Sequence, residues 1–215
     1  VKGAYWDSEI KWAQERGFED YPVFSRKLHT DVSYLAAMRL LISDSAAFYP
    51  QFATHNAHTI AAASIAGGAV EFEYQRLHGM GEALYEQVIG EGKFGRACRI
   101  YAPVGGHEDL LGYLVRRLLE NGANTSFVNR LGDEEMSISE IIADPVEIAD
   151  REFTSGERLK LIARPRDIFL PERKNSAGLA LVQASVRDGI QADIAKILKS
   201  PFSAGPIVNG TVTAG

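Results

Sequence analysis

The fold follows from residues 48–68, which read Phe-Tyr-Pro-Gln-Phe-Ala-Thr-His-Asn-Ala-His-Thr-Ile-Ala-Ala-Ala-Ser-Ile-Ala-Gly-Gly. The aromatic and apolar run over 48–54 predicts a strand. The small residues from 57 to about 66 predict a helix, which the two closing glycines end. This stretch is therefore one strand–turn–helix unit.

Similar elements precede this unit. Residues 1–5 are expected to be the end of a strand. Residues 7–16 predict a helix that Asp7 caps and Gly17 ends, and residues 32–42 predict a second helix that Asp31 caps. The apolar residues of the second helix recur at the spacing of one helix face: Leu35, Met38, Leu41 and Ile42.

Further strands and helices follow the unit. Residues 70–77 and 99–104 predict strands, and residues 82–89 predict a short helix. Residues 108–121 predict the clearest helix, with acids in its first turn and Gly122 just beyond its end. Its apolar residues are expected to form a buried face: Leu110, Leu111, Leu114, Val115 and Leu118.

Four strand–helix units at this spacing indicate an α/β fold with a parallel sheet. Such units can be half of an eight-fold barrel or most of an open doubly wound sheet. No Gly-x-Gly-x-x-Gly follows a predicted strand, which disfavours the dinucleotide-binding form of the open sheet. The barrel interpretation places function at the carboxyl ends of the strands. Residues able to carry chemistry gather there, in the segments Tyr5-Trp6, Thr54-His55-Asn56 and Leu77-His78-Gly79 and at Tyr101.

The composition changes after Arg130. Residues 131–152 hold eight acids and one base, which predicts a linker or peripheral arm. Helices are expected over 177–181 and 190–198, and Asn209-Gly210 predicts a hairpin turn, although the residues after it are too few for a second strand. Both ends of the chain resemble cuts through structure, so we expect a piece of a longer polypeptide.

Composition restricts the class of protein. The 215 residues are 46% hydrophobic and 24% charged, values typical of soluble globular proteins, so disorder is excluded. The net charge of −5 argues against general nucleic-acid binding. The single cysteine, Cys98, cannot form an intramolecular disulfide and suits a reducing compartment. These features predict a soluble intracellular protein.

Two groups of residues could carry chemistry. Arg116 and Arg117 lie together on the clearest helix, and paired guanidinium groups bind a carboxylate well. The alternative is an exposed helix face on which Arg116 pairs with Glu120. Thr54-His55-Asn56 lies at a strand–helix junction, where helix N–H groups can bind a phosphate. There the alternative is a purely structural helix cap.

A metal site is a third interpretation. Four histidines lie near predicted strand ends: His55, His58, His78 and His107. A metal-dependent barrel hydrolase would need several converging ligands, usually including a carboxylate. Only Asp7 lies beside one of these ends, and it is predicted to cap a helix. Metal catalysis is therefore disfavoured, and Cys98 is interpreted as an inert buried thiol.

Long segments of the sequence resemble a known family. Residues 1–7, 49–59, 77–82 and 113–130 resemble the proline dehydrogenase domain of bacterial proline utilization A, and the match is closest over 113–130. The resemblance continues more weakly through Pro165-Arg166-Asp167 and the segment from Glu172 to Leu179, which are similar to the family's passage into its aldehyde dehydrogenase domain.

The resemblance implies the second half, four βα units, of a distorted βα8 TIM-like barrel, followed by a linker and the start of another domain. Residues 1–130 would be the C-terminal half of the barrel, 131–175 the linker, and 176–215 the start of an aldehyde dehydrogenase-like domain. The family's substrate-facing lysine and aspartate, flavin-side arginine, catalytic cysteine and NAD site are not in this chain. These 215 residues alone are therefore expected to be inactive.

The resemblance also implies an activity, the FAD-dependent oxidation of L-proline to pyrroline-5-carboxylate within a bifunctional enzyme that converts proline to glutamate. The substrate would be bound by Arg116, Arg117, Tyr101, Tyr5, Leu77 and Ala4. The FAD would be lined by Lys2, Gly3, Trp6, Ser25, Thr54, His55, Asn56 and Glu120. At Ser25 a threonine is expected, and the hydroxyl is retained.

Electrons would pass to a membrane quinone, which implies a cytoplasmic protein at the periphery of the inner membrane. NAD would serve the aldehyde dehydrogenase domain, a homo-oligomer is compatible with the family, and this segment would hold no nucleic-acid site. A competing hypothesis is a non-catalytic barrel fragment or scaffold. The Arg116-Arg117 pair and the Thr54-His55-Asn56 cluster favour the enzyme, because a scaffold needs neither.

Overall fold

A computed structural model describes residues 6–122, 136–155, 162–199, 201 and 204–212, without the side chains of 120–122. The predicted first strand, over residues 1–5, lies outside this part of the chain. The described residues form two units, one within Phe24–Ile162 and the other within Tyr5–Val23 and Ala163–Gly215. Among the described helices, none is long and apolar enough to cross a membrane.

Eight helices and five strands are found in the described part of the chain. They are α1 (Trp6–Glu15), α2 (Lys27–Ser43), β1 (Gln51–Ala53), α3 (Ala57–Gly67), β2 (Glu73–Leu77), α4 (Glu82–Glu86), β3 (Ala97–Tyr101), α5 (His107–Gly122), α6 (Ile138–Ile141), α7 (Pro145–Ser155), α8 (Ala184–Ile197), β4 (Ile207–Val208) and β5 (Thr211–Val212), with a 3₁₀ turn over Pro165–Asp167.

The first unit contains a parallel sheet in the order β1-β2-β3. Phe52 lies opposite Tyr74, and Tyr74 lies opposite Cys98, so these three side chains share one face of the sheet. Helix α3 connects β1 to β2, and α4 lies between β2 and β3, as parallel pairing requires. The predicted α/β class with alternating strands and helices is confirmed for these elements.

The core of the first unit lies on the Phe52–Tyr74 face of the sheet. Its buried members come from α2, α3, the strands β1 and β2, the residue before β2, and α4 with the residues after it. They are Leu35, Met38, Ile42, Phe52, Ile60, Ala63, Phe72, Tyr74, Tyr85 and Val88. The Tyr74 hydroxyl donates to the Ile60 carbonyl at 2.9 Å, so its buried polar group is satisfied. A Cβ at Gly67 would clash with the Phe72 ring, which explains a glycine at that position.

The other face of the sheet carries a polar cluster formed by Gln51, Glu73, Gln75 and Arg99. Glu73 is 3% exposed, and Arg99 donates to both of its carboxylate oxygens, at 2.7 and 2.9 Å. Gln51 donates to the same carboxylate at 2.6 Å and Gln75 at 3.2 Å. The Arg99 hydrogen bonds lower the pKa of Glu73 to about 2.

The pKa of Glu73 predicts a pH dependence of stability. Because ionisation is favoured in the folded state, its contribution is complete above the ordinary value of 4.5 and is lost as the pH falls toward 2. Glu73→Gln should therefore flatten the dependence of the urea midpoint on pH over this window. Glu71→Gln, at an exposed position, is the matched control. Equal pH slopes in Glu73→Gln and the wild type would contradict the assignment.

Several element boundaries differ from the sequence expectation. Helix α2 begins at Lys27, so Asp31 lies inside it and pairs with Lys27 at 2.6 Å instead of capping it. The helix extends further because a lysine and an aspartate four residues apart stabilise an additional turn. Helix α1 begins at Trp6, which places Asp7 in the first turn, and Gly122 belongs to α5. The three strands of the parallel sheet are shorter than predicted.

The predicted buried face of α5 is wrong. Leu111, Leu114 and Leu118 are 63%, 52% and 71% exposed, and Val115 is 45% exposed. An amphipathic pattern shows which side of a helix is apolar, but burial also needs a second apolar surface. In the described part of the first unit these side chains remain largely accessible to solvent.

The second unit joins α1 to the chain after residue 163. The Asn175 side chain donates to the carbonyls of Gln14 and Pro165, at 2.8 and 3.0 Å. The helix predicted over 177–181 is wrong, since that segment is irregular, whereas the helix predicted over 190–198 is confirmed in α8. The predicted turn at Asn209-Gly210 is also confirmed, but the expectation that too few residues follow it for a second strand is wrong, because Thr211–Val212 forms β5.

Candidate functional site

The carboxyl ends of β1, β2 and β3 lie at one edge of the parallel sheet. The ladder continues past the strands, because the Thr54 N–H donates to the Gln75 carbonyl at 3.3 Å and the His78 N–H donates to the Tyr101 carbonyl at 3.0 Å. Leu77 and Tyr101 are register partners. The predicted strand-end residues Thr54, Leu77 and Tyr101 are thus held along one edge.

The imidazole of His55 is fixed over the end of β2. Its Nε2 accepts the backbone N–H of Leu77 at 3.2 Å. A nitrogen that accepts a hydrogen bond carries no proton, so the proton of the neutral ring is on Nδ1. His55 is therefore a donor through Nδ1, a role suited to binding an electron-rich ligand atom.

Thr54 and Asn56 form the turn into α3. The Asn56 side chain accepts from the His58 N–H at 2.9 Å, and the Thr54 hydroxyl oxygen accepts from the Asn56 N–H at 3.1 Å. Asn56 is therefore the helix cap that the structural alternative predicted. The same turn places the positive end of the α3 dipole at the strand edge, where an anion is stabilised.

Tyr85 supports this turn from below. The single proton of its buried hydroxyl is shared between the carbonyls of Thr54 and Gln75, at 2.9 and 3.2 Å, and so joins the ends of β1 and β2. Burial raises the pKa of Tyr85 above its ordinary value, which keeps the hydroxyl protonated as a donor. The sequence analysis missed this residue, and only its position in a short helix after β2 could have indicated it.

Removal of the Tyr85 hydroxyl should loosen the Thr54 turn. Tyr85→Phe removes the proton that the carbonyls of Thr54 and Gln75 share, and should lower the free energy of unfolding by about 1–3 kcal/mol. Tyr34→Phe is the matched control, because the Tyr34 hydroxyl makes only a long 3.4 Å contact with the Ala53 carbonyl. Urea unfolding of both variants checks the difference. Equal losses would show that the Tyr85 hydroxyl has no special role.

Gly81 leaves room for the His55 ring. It has φ +69°, and a Cβ there would lie 3.0 Å from Cδ2 of the imidazole. Gly79 has a similar φ of +77°, with no atom within 4 Å of such a Cβ. Both residues belong to the tight turn after β2, which the Gly-Met-Gly spacing could have indicated.

These two glycines give a matched pair of variants. Gly81→Ala and Gly79→Ala should share the conformational cost of a positive φ, about 1 kcal/mol. Only Gly81→Ala should also displace His55 and weaken its hydrogen bond from Leu77. Amide hydrogen exchange at Leu77 should accelerate more in Gly81→Ala. Equal exchange rates in the two variants would contradict the contact.

The paired arginines lie on α5, the helix that follows β3. Arg116 and Arg117 are both half-buried, and the Arg117 guanidinium lies 5.2 Å from the centre of the Tyr113 ring. A cation over an aromatic face is restricted in orientation, which favours a fixed binding geometry. The predicted exposed pairing of Arg116 with Glu120 lies outside the described side chains.

The remaining predicted residues are placed differently. Ser25 is half-buried in the first unit, immediately before the segment that enters α2, and Trp6 belongs to α1 in the second unit. Lys2, Gly3, Ala4 and Tyr5 lie outside the described residues, as does the side chain of Glu120.

Within the described part of the chain, no group of three or more histidine, cysteine or acidic side chains could hold a metal. Burial raises the pKa of the Cys98 thiol.

A parallel sheet with helical connections and polar groups at its carboxyl edge is an α/β arrangement that TIM-barrel-like enzymes share. A family model described as proline dehydrogenase matches residues 1–130, more than half of the sequence. The chain belongs to the proline dehydrogenase family.

Named relatives agree with this membership. The bifunctional protein PutA of Escherichia coli is 51% identical over 226 aligned residues, which cover 100% of this chain and 17% of that protein. A crystal structure of a Bradyrhizobium japonicum proline utilization A mutant has a TM-score of 0.79 and 47% identity, and covers 91% of this chain and 20% of that one. A structure of proline utilization A "with proline bound in remote sites" has the same TM-score, with 45% identity over 96% of this chain and 21% of that one. The chain thus spans about a fifth of these relatives.

Proposed function

We propose that this chain contributes to the FAD-dependent oxidation of L-proline to pyrroline-5-carboxylate, as part of a bifunctional enzyme that converts proline to glutamate. The observation that carries the proposal is the site at the carboxyl edge of the sheet, in a member of the proline dehydrogenase family. There His55 is a fixed donor, and Thr54 and Asn56 form the positive end of α3.

In this proposal the chain supplies four βα units, the second half of a distorted βα8 barrel. Residues 1–130 would form the half barrel, 131–175 a linker, and 176–215 the start of an aldehyde dehydrogenase-like domain. The three consecutive parallel strands β1, β2 and β3 support the barrel assignment. The first of the four strands would be formed by residues 1–5.

The residues at the sheet edge fit a flavin dinucleotide. Such a group carries an anionic pyrophosphate, which a helix N-terminus stabilises, and electron-rich ring atoms, which accept hydrogen bonds. Thr54, His55, Asn56 and Ser25 would hold it, and when bound it would accept the hydride from the substrate. Further contacts remain predictions from the resemblance: Lys2, Gly3, Trp6 and Glu120.

The paired arginines of α5 would bind the proline carboxylate. Two guanidinium groups can satisfy both carboxylate oxygens and fix the orientation of the ring. Leu77, which is 2% exposed, and the half-buried Tyr101 would pack against the ring, with Ala4 and Tyr5 as further predicted contacts. These residues would act by positioning, since the side chains need not exchange a proton with the carboxylate to hold it.

Further properties follow from the proposed activity. Electrons would pass to a membrane quinone, so a cytoplasmic protein would associate peripherally with the inner membrane. NAD would bind in the aldehyde dehydrogenase domain, outside this chain. A homo-oligomer is compatible with these assignments.

Arg117→Met tests the proposed substrate site in the natural full-length protein. Because the long apolar stem is retained and the charge is lost, the KM for proline should rise about 10- to 100-fold. The flavin should remain bound. Proline-dependent bleaching of the flavin absorbance under anaerobic conditions measures both properties. Arg39→Met, at an exposed position on α2, is the matched control and should behave like the wild type.

Two results would contradict the proposal in different ways. A wild-type protein that binds flavin but is not bleached by proline would overturn the substrate assignment. An unchanged KM in Arg117→Met, with normal bleaching, would retain the activity and remove the arginine from the carboxylate site.

A further inference from the structure

An ion pair joins α7, in the acidic segment of residues 138–155, to the residue that precedes α2. Arg26 donates through Nη1 and Nη2 to the two carboxylate oxygens of Glu152 on α7, with the Nη2–Oε1 distance 2.7 Å. The side chains are 18% and 22% exposed. Two parallel hydrogen bonds between a guanidinium and a carboxylate fix orientation as well as distance.

Arg26 occupies the position at which the chain enters α2. It is the N-cap residue, with φ −126° and ψ 133°, and its side chain does not cap the helix. The guanidinium instead points to α7, so Glu152 fixes the backbone at the end of the preceding segment. Ser25, which the proposed function assigns to the flavin, is the neighbouring residue. A displacement of Arg26 therefore moves Ser25.

Helices α6 and α7 also lie beside the turn that contains Asn56, the other segment proposed to bind the flavin. A cavity of about 330 Å³ lies between the first turns of α2 and α3 and the α6–α7 segment. Its lining includes Lys27 from α2, Asn56 and His58 from the start of α3, and Glu140 and Pro145 from the acidic segment. Asn56 is assigned to the flavin as well. Helices α6 and α7 thus adjoin both chain segments that would contact it.

We propose that α6 and α7 support the cofactor site without contacting the flavin, and that Glu152 is a positioning residue which, through Arg26, sets the place of Ser25 for flavin binding. This inference rests on the proposed function. It assigns the acidic residues 138–155 a role other than that of a linker. They lie against the segments that lead into α2 and α3 and hold them in place.

The ion pair is charged under ordinary conditions. The Arg26 hydrogen bond holds the pKa of Glu152 below its usual range, so the carboxylate is ionised at neutral pH. Because the pair is partly exposed, dissolved salt weakens it by screening. A positioning role therefore predicts that part of the salt dependence of flavin affinity comes from this pair.

The test uses the natural full-length protein and FAD as the probe. Glu152→Gln should raise the dissociation constant of FAD about three- to tenfold. It should also reduce the salt dependence of that constant, while the KM for proline measured at saturating FAD stays unchanged. Glu147→Gln, at an exposed position on the same helix, is the matched control and should bind FAD like the wild type.

The charge-reversed pair provides a rescue. Arg26→Glu combined with Glu152→Arg should bind FAD more tightly than either single reversal, because only the double variant can rebuild the ion pair. FAD affinity in Glu152→Gln equal to that of the wild type would overturn the positioning role alone. No rescue in a folded double variant would overturn it as well. A wild-type protein without affinity for FAD would instead overturn the proposed function, and this inference with it.

Discussion

Parallel pairing of β1, β2 and β3 is the constraint on which the rest of the first unit depends. Parallel neighbours cannot be joined by a tight hairpin, so each connection must return along the sheet. The return places all three carboxyl ends at one edge, where Thr54, His78 and Tyr101 continue the ladder. The candidate site is therefore a direct result of strand direction.

The two faces of this sheet use different interactions. One face packs Phe52 and Tyr74 into an apolar core, where burial is favourable without precise geometry. The other face buries the Glu73 carboxylate, which requires donors from both neighbouring strands. The polar cluster is therefore sensitive to strand register. A slip of one residue would separate Glu73 from Arg99 and move the Thr54 turn away from Leu77.

Support for the candidate site comes from residues with no direct chemistry of their own. Tyr85 joins the strand ends below the Thr54 turn, Gly81 leaves room for the His55 ring, and Glu152 holds Arg26 at the entrance to α2. Such contacts link segments distant in sequence. Their partners are backbone carbonyls or side chains from another element, so no local pattern reveals them.

The sequence alone determined the order of strands and helices from α1 to α5, the α/β class, the strand-end residues Thr54, Leu77 and Tyr101, and the turn at Asn209-Gly210, because periodicity and turn chemistry are local properties. It also indicated the family, through long segments such as 113–130. Only the tertiary structure decided that the apolar face of α5 remains exposed, that Glu152 pairs with Arg26, and that His55 accepts from Leu77. Each of these depends on what a side chain meets across space, which neighbouring residues in the sequence do not specify.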